Sequence, residues 1–213
     1  MIYFIFNLVF LLFNFKDIYS RPISYSDAWT IMQKNDYNKN SLHVHYTPLI
    51  KYSIGYRGEY WKNKEWSFHG AQVNYLLSRL NNASSQANFY LKSGVGVALS
   101  DYKNLEKEKQ PSVFSGFSMD WENRRYYTSY ENKFIYANKI DKFFLQKIRL
   151  GLSPYIGKYG DLHSWLMFQI DHMPKSKDKF IYTPFLRMFK GDYLAEAGFS
   201  NNKELMFNFI KRF

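Results

Sequence analysis

Hydrophobic and polar residues alternate with a period of two along most of this chain. From Leu42 to Tyr60 the even positions are almost all aromatic or aliphatic, and the odd positions between them are mostly polar. Successive side chains of a strand point to opposite faces, so the pattern predicts a strand with one apolar face. These 19 residues keep one phase, whereas a soluble sandwich strand has roughly 5 or 6. The pattern therefore favours a strand that crosses a membrane, with lipid outside and a polar interior.

The same alternation recurs as far as the carboxyl terminus. Turn-forming segments rich in Asn, Gly, Asp, Lys and Pro interrupt it, and no later segment is apolar for long enough to form a transmembrane helix. The predicted strands, about ten in number, are 42–61, 66–80, 85–100, 111–124, 125–138, 143–156, 161–173, 179–190, 192–201 and 203–213. The predicted fold class is all-β, an antiparallel up-and-down transmembrane β-barrel. An even number of strands places both termini on one side and the charged segments 101–110 and 174–178 on the other.

The amino terminus has a different character. Residues 1–15 are apolar and uncharged, a run shorter than the roughly 20 residues of a spanning helix. The run resembles the core of a signal peptide, with small Ser20 as the expected cleavage point, although no Lys or Arg precedes it. A retained anchor and a buried amino-terminal strand are the alternatives. A cleaved signal peptide and a retained anchor would both place the rest of the chain outside the cytoplasm.

Residues 25–40 do not alternate, and Asp27 is expected to cap a short helix over residues 28–33. The predicted domains are thus a signal peptide (1–20), a short periplasmic amino-terminal segment or small plug (21–41) and the transmembrane barrel (42–213).

Composition and charge narrow the function classes. Aromatic residues make up 21% of the chain, yet its mean hydropathy is −0.44, as expected for an apolar outer band around a polar lumen. The absence of cysteine excludes disulfides and thiolate metal sites. The net charge is +11, but the basic residues are dispersed among the aromatic strands rather than clustered. Contact with lipid phosphates or anionic solutes therefore fits better than nucleic-acid binding, which we do not predict.

The last strand carries the one resemblance to a known family. Leu205, Phe207, Phe209 and the terminal Phe213 alternate with other residues, which resembles the carboxy-terminal insertion signal of bacterial outer-membrane β-barrels. Lys211 departs from that signal, since its place is usually aromatic or aliphatic. The resemblance implies export through a signal peptide to the outer membrane of a Gram-negative cell. It also implies the barrel-assembly machinery, outer-membrane lipid and lipopolysaccharide as partners.

Charged residues on the polar face of the predicted strands are expected to line the lumen. They are Arg57, Glu59, Lys92, Asp120, Glu122, Glu131, Lys133, Lys147, Arg149, Arg187 and Glu196. In a narrow barrel, opposite charges are expected to pair across the interior, because an unpaired charge in a confined space is costly. The alternative is a polar pathway in which the basic members favour anions.

Histidines raise the question of a metal. His43 and His45 lie two positions apart on one strand, so both are expected to face inward. If barrel closure brought His163 close, the three imidazoles would form a metal site; otherwise they are ordinary lumen residues. No other cofactor is predicted.

Enzymatic activity is the weaker alternative. Asp171 and His172 are comparable to the rim residues of omptin-type proteases, with Asp120 or Glu122 as the facing acid, and His163-Ser164 is comparable to part of a lipid deacylase. Neither pairing is specific, because adjacent residues of a strand point to opposite faces. The leading prediction is therefore a small structural or interaction barrel, or a narrow pore for small polar solutes, with anions as one class of them. An outer-membrane hydrolase acting on lipid or peptide is the alternative, and a soluble secreted all-β binding protein is the further alternative.

Overall fold

Twelve antiparallel strands form the molecule in the computed structural model, which describes residues 26–102, 108–158 and 160–213. The strands are β1 Ala28–Asn35, β2 Lys39–Leu49, β3 Tyr52–Trp61, β4 Trp66–Asn81, β5 Ser85–Ser100, β6 Lys109–Asn123, β7 Tyr126–Ala137, β8 Asp141–Leu152, β9 His163–His172, β10 Phe180–Lys190, β11 Tyr193–Phe199 and β12 Leu205–Arg212. A single 3-10 turn, Lys62–Lys64, separates β3 from β4. No helix in the described ranges is long and apolar enough to cross a membrane.

Each strand pairs with its neighbours in the chain, and β1 pairs with β12 to close the barrel. The predicted all-β, antiparallel, up-and-down barrel is thus confirmed, with twelve strands instead of about ten. One of the extra strands arises within the predicted strand 42–61, which is a hairpin: β2 ends at Leu49 and β3 begins at Tyr52. A β-bulge between Tyr46 and Leu49 shifts the register so that outward Tyr46 pairs with outward Ile54. The alternation therefore keeps its phase through the turn and hides the break.

The other extra strand is β1. The short helix expected over residues 28–33 is wrong, because these residues form β1 and pair with both β2 and β12. Asp27 has a positive φ of 62° and accepts a hydrogen bond from the Tyr46 hydroxyl, 2.8 Å long, instead of capping a helix. The barrel therefore begins inside the segment assigned to the periplasm, at Ala28 and not at residue 42. The predicted signal peptide lies outside the described residues.

The two ends of the barrel differ. The terminal end carries Asp27, Phe213 and the turns that follow β2, β4, β6, β8 and β10. The opposite, distal end carries the connections that follow the odd-numbered strands, including residues 173–179 and the described ends, residues 101–102 and 108, of the connection between β5 and β6. Both charged connections thus lie away from the termini, as the strand count predicts. At the terminal end, Gly191 adopts a positive φ of 57° in the tight turn between β10 and β11, a backbone conformation that glycine accepts without strain.

Polarity is inverted relative to a soluble protein. Every strand exposes at least one large hydrophobic side chain on its outer face, such as Leu91 on β5, Phe117 on β6 and Leu150 on β8. The interior instead holds many buried polar side chains, among them Gln72, Gln169 and Asn208. Burying polar groups is costly in an apolar solvent unless they bond to one another. The interior is therefore the polar side of the wall, and the outer face is the apolar side.

Candidate functional site: the barrel lumen

The distal end of the lumen is filled by apolar side chains, which we call the distal plug. Its members are buried and at most 7% exposed: Trp61, Trp66, Phe68, Ala98, Phe114, Ile135, Ala137, Phe143, Leu145 and Met173. The Trp61 and Phe143 rings pack edge to face with centroids 4.7 Å apart, and Trp66 lies 6.3 Å from both. The plug therefore excludes water from that level of the barrel.

Beneath the plug, one carboxylate binds three cations. Glu59 on β3 is fully buried and contacts Lys39 Nζ at 2.9 Å, an Arg57 guanidinium nitrogen at 2.5 Å and Lys133 Nζ at 2.5 Å. Lys133 reaches it from β7, on the far wall, so this bond spans the lumen. The Lys133 ammonium also lies 3.8 Å from the centroid of the Phe114 ring. The cluster thus joins opposite walls and anchors the plug.

A second ion-paired group links β8 to β1. Lys147 Nζ lies 3.4 Å from Asp36 and 3.3 Å from Asp171. Burial raises the pKa of the Asp36 carboxyl, but the charges of Lys147 and Lys39 outweigh burial and hold that pKa below its usual value. A cavity of about 20 Å³ lies between this group and the plug, which is room for about one water molecule. The distal half of the lumen is therefore densely packed.

Further toward the terminal end, Glu196 on β11 binds two arginines. Arg187 Nε lies 2.7 Å and Arg149 Nη1 3.3 Å from its carboxylate, and the Asn208 side-chain amide donates to it at 2.6 Å. Across the lumen, Lys92 on β5 binds Glu131 on β7 at 2.7 Å. Lys92 stands opposite Gly116 of β6 in the register, where a Cβ would collide with the backbone carbonyl of Asn132 on β7.

The eleven charged residues predicted to line the lumen all lie on the inward face. Nine of them belong to the ion pairs above, Asp120 accepts a hydrogen bond from Asn88 at 2.7 Å, and Glu122 also has a partner. Sequence reasoning missed Lys34 and Asp36, because it did not assign a strand to residues 28–35. It assigned Asp171 to the rim, whereas Asp171 is buried in the lumen.

The predicted three-histidine metal site is not assembled. His43 and His45 do face inward, with ring centroids 4.6 Å apart. His163 lies on β9, five places away from β2 around the barrel, and packs against Phe189 with ring centroids 6.0 Å apart. Within the described part of the chain, no three His, Cys, Asp or Glu residues are close enough to hold a metal ion.

The residues of the hydrolase alternative are not brought together either. Asp171 faces inward and is bound by Lys147 and by the Gln169 amide, while His172 stacks on Phe180 with ring centroids 4.4 Å apart. Both lie at the distal end of β9, whereas Asp120 and Glu122 lie near the terminal end of β6. Ser164 follows His163 on β9 but alternates with it, so the two side chains leave the strand on opposite sides.

The predicted insertion strand forms β12 and supplies one side of the closing seam. Leu205, Phe207 and Phe213 are exposed on its outer face. The Lys211 ammonium lies 5.3 Å from the Tyr193 ring centroid and 4.7 Å from that of Phe213. A lysine stacked on outward aromatics at a barrel end can keep its charge at a membrane surface while its stem covers apolar area.

Comparison with known proteins adds little. No protein-family model matches the chain, and no curated protein matches it. Among solved structures the chain is similar to OccK11 (OpdR) of Pseudomonas aeruginosa, with a TM-score of 0.42 and 6% sequence identity. The match covers 85% of this chain, which spans 62% of the length of the OccK11 chain.

Proposed function

We propose that this chain is an integral β-barrel of the Gram-negative outer membrane that acts as a structural or interaction protein and is not a constitutively open pore. The observation that carries the proposal is the inverted polarity of the wall, with apolar side chains exposed on all twelve strands around a polar interior. In water such a surface would expose far more contiguous apolar area than soluble proteins do. This argues against the soluble secreted binding protein. The distal plug argues against an open channel.

A narrow pathway for small anions is the second candidate function. It is favoured by the ion-paired lumen on the terminal side of the plug, where the Lys92 and Glu131 side chains are 29% and 38% exposed. Such a pathway requires the distal plug to move. The hydrolase alternative receives no support from the positions of Asp171 and His172, which face opposite sides of the wall.

Heat-modifiable gel mobility tests the membrane proposal. In an outer-membrane fraction, we expect unheated protein to migrate differently from boiled protein, because a closed barrel with a paired lumen resists detergent. Recovery of the protein in the soluble periplasm, with equal mobility before and after boiling, would contradict the proposal.

A charge on the outer face provides a second test. Leu91 is exposed near the middle of β5, where Leu91→Lys would be almost neutral in a soluble protein. On a lipid-facing surface we expect the free energy of unfolding to fall by about 2–4 kcal/mol, measured by urea titration in lipid vesicles. The matched control is Leu49→Lys at the end of β2, which is also exposed and is expected to cost about 0–1 kcal/mol near the interface. Equal, negligible effects at both positions would rule out a lipid-facing outer wall.

A further inference from the structure

Three side chains on the outer face of β3 and β4 form a continuous hydrogen-bond chain. The His69 ring nitrogen Nε2 lies 3.1 Å from the Ser67 hydroxyl oxygen, and Nδ1 lies 2.7 Å from the Tyr56 hydroxyl oxygen. Ser67 is the second residue of β4, and His69 follows two places later on the same face. A hydroxyl, an imidazole and a third oxygen are thus bonded in series, which is the arrangement that activates a serine as a nucleophile.

A glycine explains how Tyr56 reaches the imidazole. Gly58 is the register partner of His69 on β3. A Cβ at Gly58 would lie 2.9 Å from the Tyr56 hydroxyl oxygen and 3.4 Å from its ring. The missing side chain therefore leaves room for the Tyr56 ring to lie along the wall, with its centroid 6.3 Å from that of the His69 ring.

The two neighbours assign different roles to the two ring nitrogens. When the imidazole proton is on Nδ1, that nitrogen donates to the Tyr56 oxygen, and Nε2 accepts a hydrogen bond from the Ser67 hydroxyl. In this tautomer His69 can take the Ser67 proton, as a general base must. The Tyr56 oxygen therefore orients the ring and stabilises the reactive tautomer.

The hydrogen-bond chain faces the surroundings of the barrel and not its lumen. His69 is exposed, Tyr56 is 45% exposed, and Ser67 is half-buried. On β5 the register partner of His69 is Val97, which is exposed on the same apolar wall. The second residue of a spanning strand lies near the interfacial region, where lipid headgroups join their acyl chains. Ser67 is therefore placed at the depth of lipid ester groups.

An apolar groove continues from the hydrogen-bond chain toward the middle of the wall. It begins at Ala71, two places after His69 on the outer face, and has a volume of about 430 Å³. Its two outward serines, Ser93 and Ser115, bond to each other at 3.2 Å, and its other outward side chains are Val73, Val95, Val113 and Phe134. A groove of this size and polarity suits a hydrocarbon chain. An acyl chain lying in it would direct its ester group toward Ser67.

We infer that Ser67, His69 and Tyr56 form a serine esterase site that cleaves the long-chain fatty-acid ester of a membrane lipid. The inference rests on the proposed function, because a lipid reaches this outward site only if lipid surrounds the wall. Ser67 and His69 are the catalytic residues, and Tyr56 is a positioning residue. None of the three belongs to the hydrolase pairs considered from the sequence, so the arguments against those pairs do not apply to this site.

The reaction requires only the lipid ester and water. Ser67 Oγ attacks the ester carbonyl carbon while its proton moves to His69 Nε2. The bond between that carbon and the alcohol oxygen of the lipid then breaks, and Nε2 gives the proton to the departing oxygen. A water molecule attacks the acyl-serine and gives a proton to Nε2, which returns it to the Ser67 oxygen. The products are a free fatty acid and a lipid with a hydroxyl in place of the ester.

Release of fatty acid by the purified full-length barrel in mixed micelles tests the site. A diacyl glycerophospholipid and lipopolysaccharide are offered separately, and release from either supports the site and identifies the source of the ester. Ser67→Ala and His69→Gln should each lower the rate by about 100-fold or more. The matched control is Ser164→Ala, which removes a serine bonded to the Tyr155 hydroxyl at 3.3 Å without an imidazole. It should retain the wild-type rate.

Tyr56→Phe tests the positioning role. It keeps the ring and removes the oxygen that orients His69, so it should lower kcat by about five- to tenfold, the effect of one hydrogen bond. KM should stay within about twofold, because no contact with the lipid is lost. A change in KM with unchanged kcat would overturn the positioning role.

A fluorophosphonate reagent gives a readout that does not depend on lipid turnover. An activated serine forms a bond to its phosphorus and releases fluoride, so the reagent should label Ser67 in the wild type, as identified by peptide mass. Labelling should be at least about tenfold slower in His69→Gln. If Ser67→Ala loses the heat-modifiable mobility shift and so does not fold, labelling of the wild type at Ser67 decides the identity of the nucleophile.

The outcomes separate failure of this site from failure of the proposed function. No release from either lipid, while the wild type keeps its mobility shift, overturns the esterase and leaves the membrane barrel standing. Release at the wild-type rate by folded Ser67→Ala overturns the esterase site as well. Absence of the mobility shift in the wild type counts against the barrel itself.

Discussion

Replacing Glu59 by Gln should lower the free energy of unfolding by about 3–5 kcal/mol. The substitution keeps the shape of the side chain and removes the one negative charge that Lys39, Arg57 and Lys133 share. All three cations would then lie in a confined interior without their carboxylate, which is the costly way to break a buried ion pair. Urea titration of the barrel in lipid vesicles, followed by tryptophan fluorescence, measures the change.

Glu204→Gln is the matched control for this prediction. Glu204 pairs with Lys62 at 3.0 Å at the distal rim, where the two side chains are 42% and 29% exposed. Because water screens this pair, we expect the substitution to cost less than about 1 kcal/mol. Similar losses in both variants would mean that Glu59 does not hold the plug through its charge.

Removing the Trp61 ring should open the distal end of the lumen. Trp61→Ala deletes the ring that contacts both Phe143 and Trp66 at the centre of the plug. We expect a loss of about 3–5 kcal/mol of stability, as for other large-to-small changes in packed interiors. We also expect a rise in single-channel conductance in planar bilayers, because the change removes the ring at the centre of the plug that seals the distal end.

Trp121→Ala controls for the loss of a tryptophan as such. Trp121 lies on β6 with its ring partly exposed on the outer face, so its removal leaves the lumen filled. Its conductance should match that of the wild type. A folded Trp61→Ala barrel with wild-type conductance would show that other side chains seal the distal end without Trp61.

The period-two pattern was sufficient to predict the fold class and the faces of most strands. It correctly distinguished inward Arg57 and Glu59 from outward Ile54 and Tyr56, because the phase of a strand fixes both faces at once. It could not count the strands. The hairpin between Leu49 and Tyr52 preserves the phase, so nothing in the alternation marks the turn.

The closing strand β1 was missed for a different reason. Its inward face carries Met32 and Lys34, and its outward face carries Ile31 and Gln33. Each face therefore mixes apolar and polar residues, and no alternation is visible. These residues form a strand because they pair with β2 and β12. The sequence pattern does not reveal this pairing, because β12 is distant in the chain and β2 was not recognised as a separate strand. The distal plug was missed too, because aromatic residues near strand ends resemble interfacial residues until the barrel shows that they face inward.

The cross-lumen ion pairs have a consequence for the order in which the molecule is assembled. Glu59 and Lys133 are 74 positions apart, and Asp36 and Lys147 are 111 apart. Neither pair can form while the chain is an open sheet, because the members of each pair stand on opposite walls. Glu59 and Lys147 can bind Arg57 and Asp171, their partners on the same or a neighbouring strand, before that, but the bonds between walls wait until the sheet curls toward closure. Curling and closing the sheet is thus the step in which the walls become bonded to each other through the interior, so an open sheet lacks the bonds that fix its final curvature.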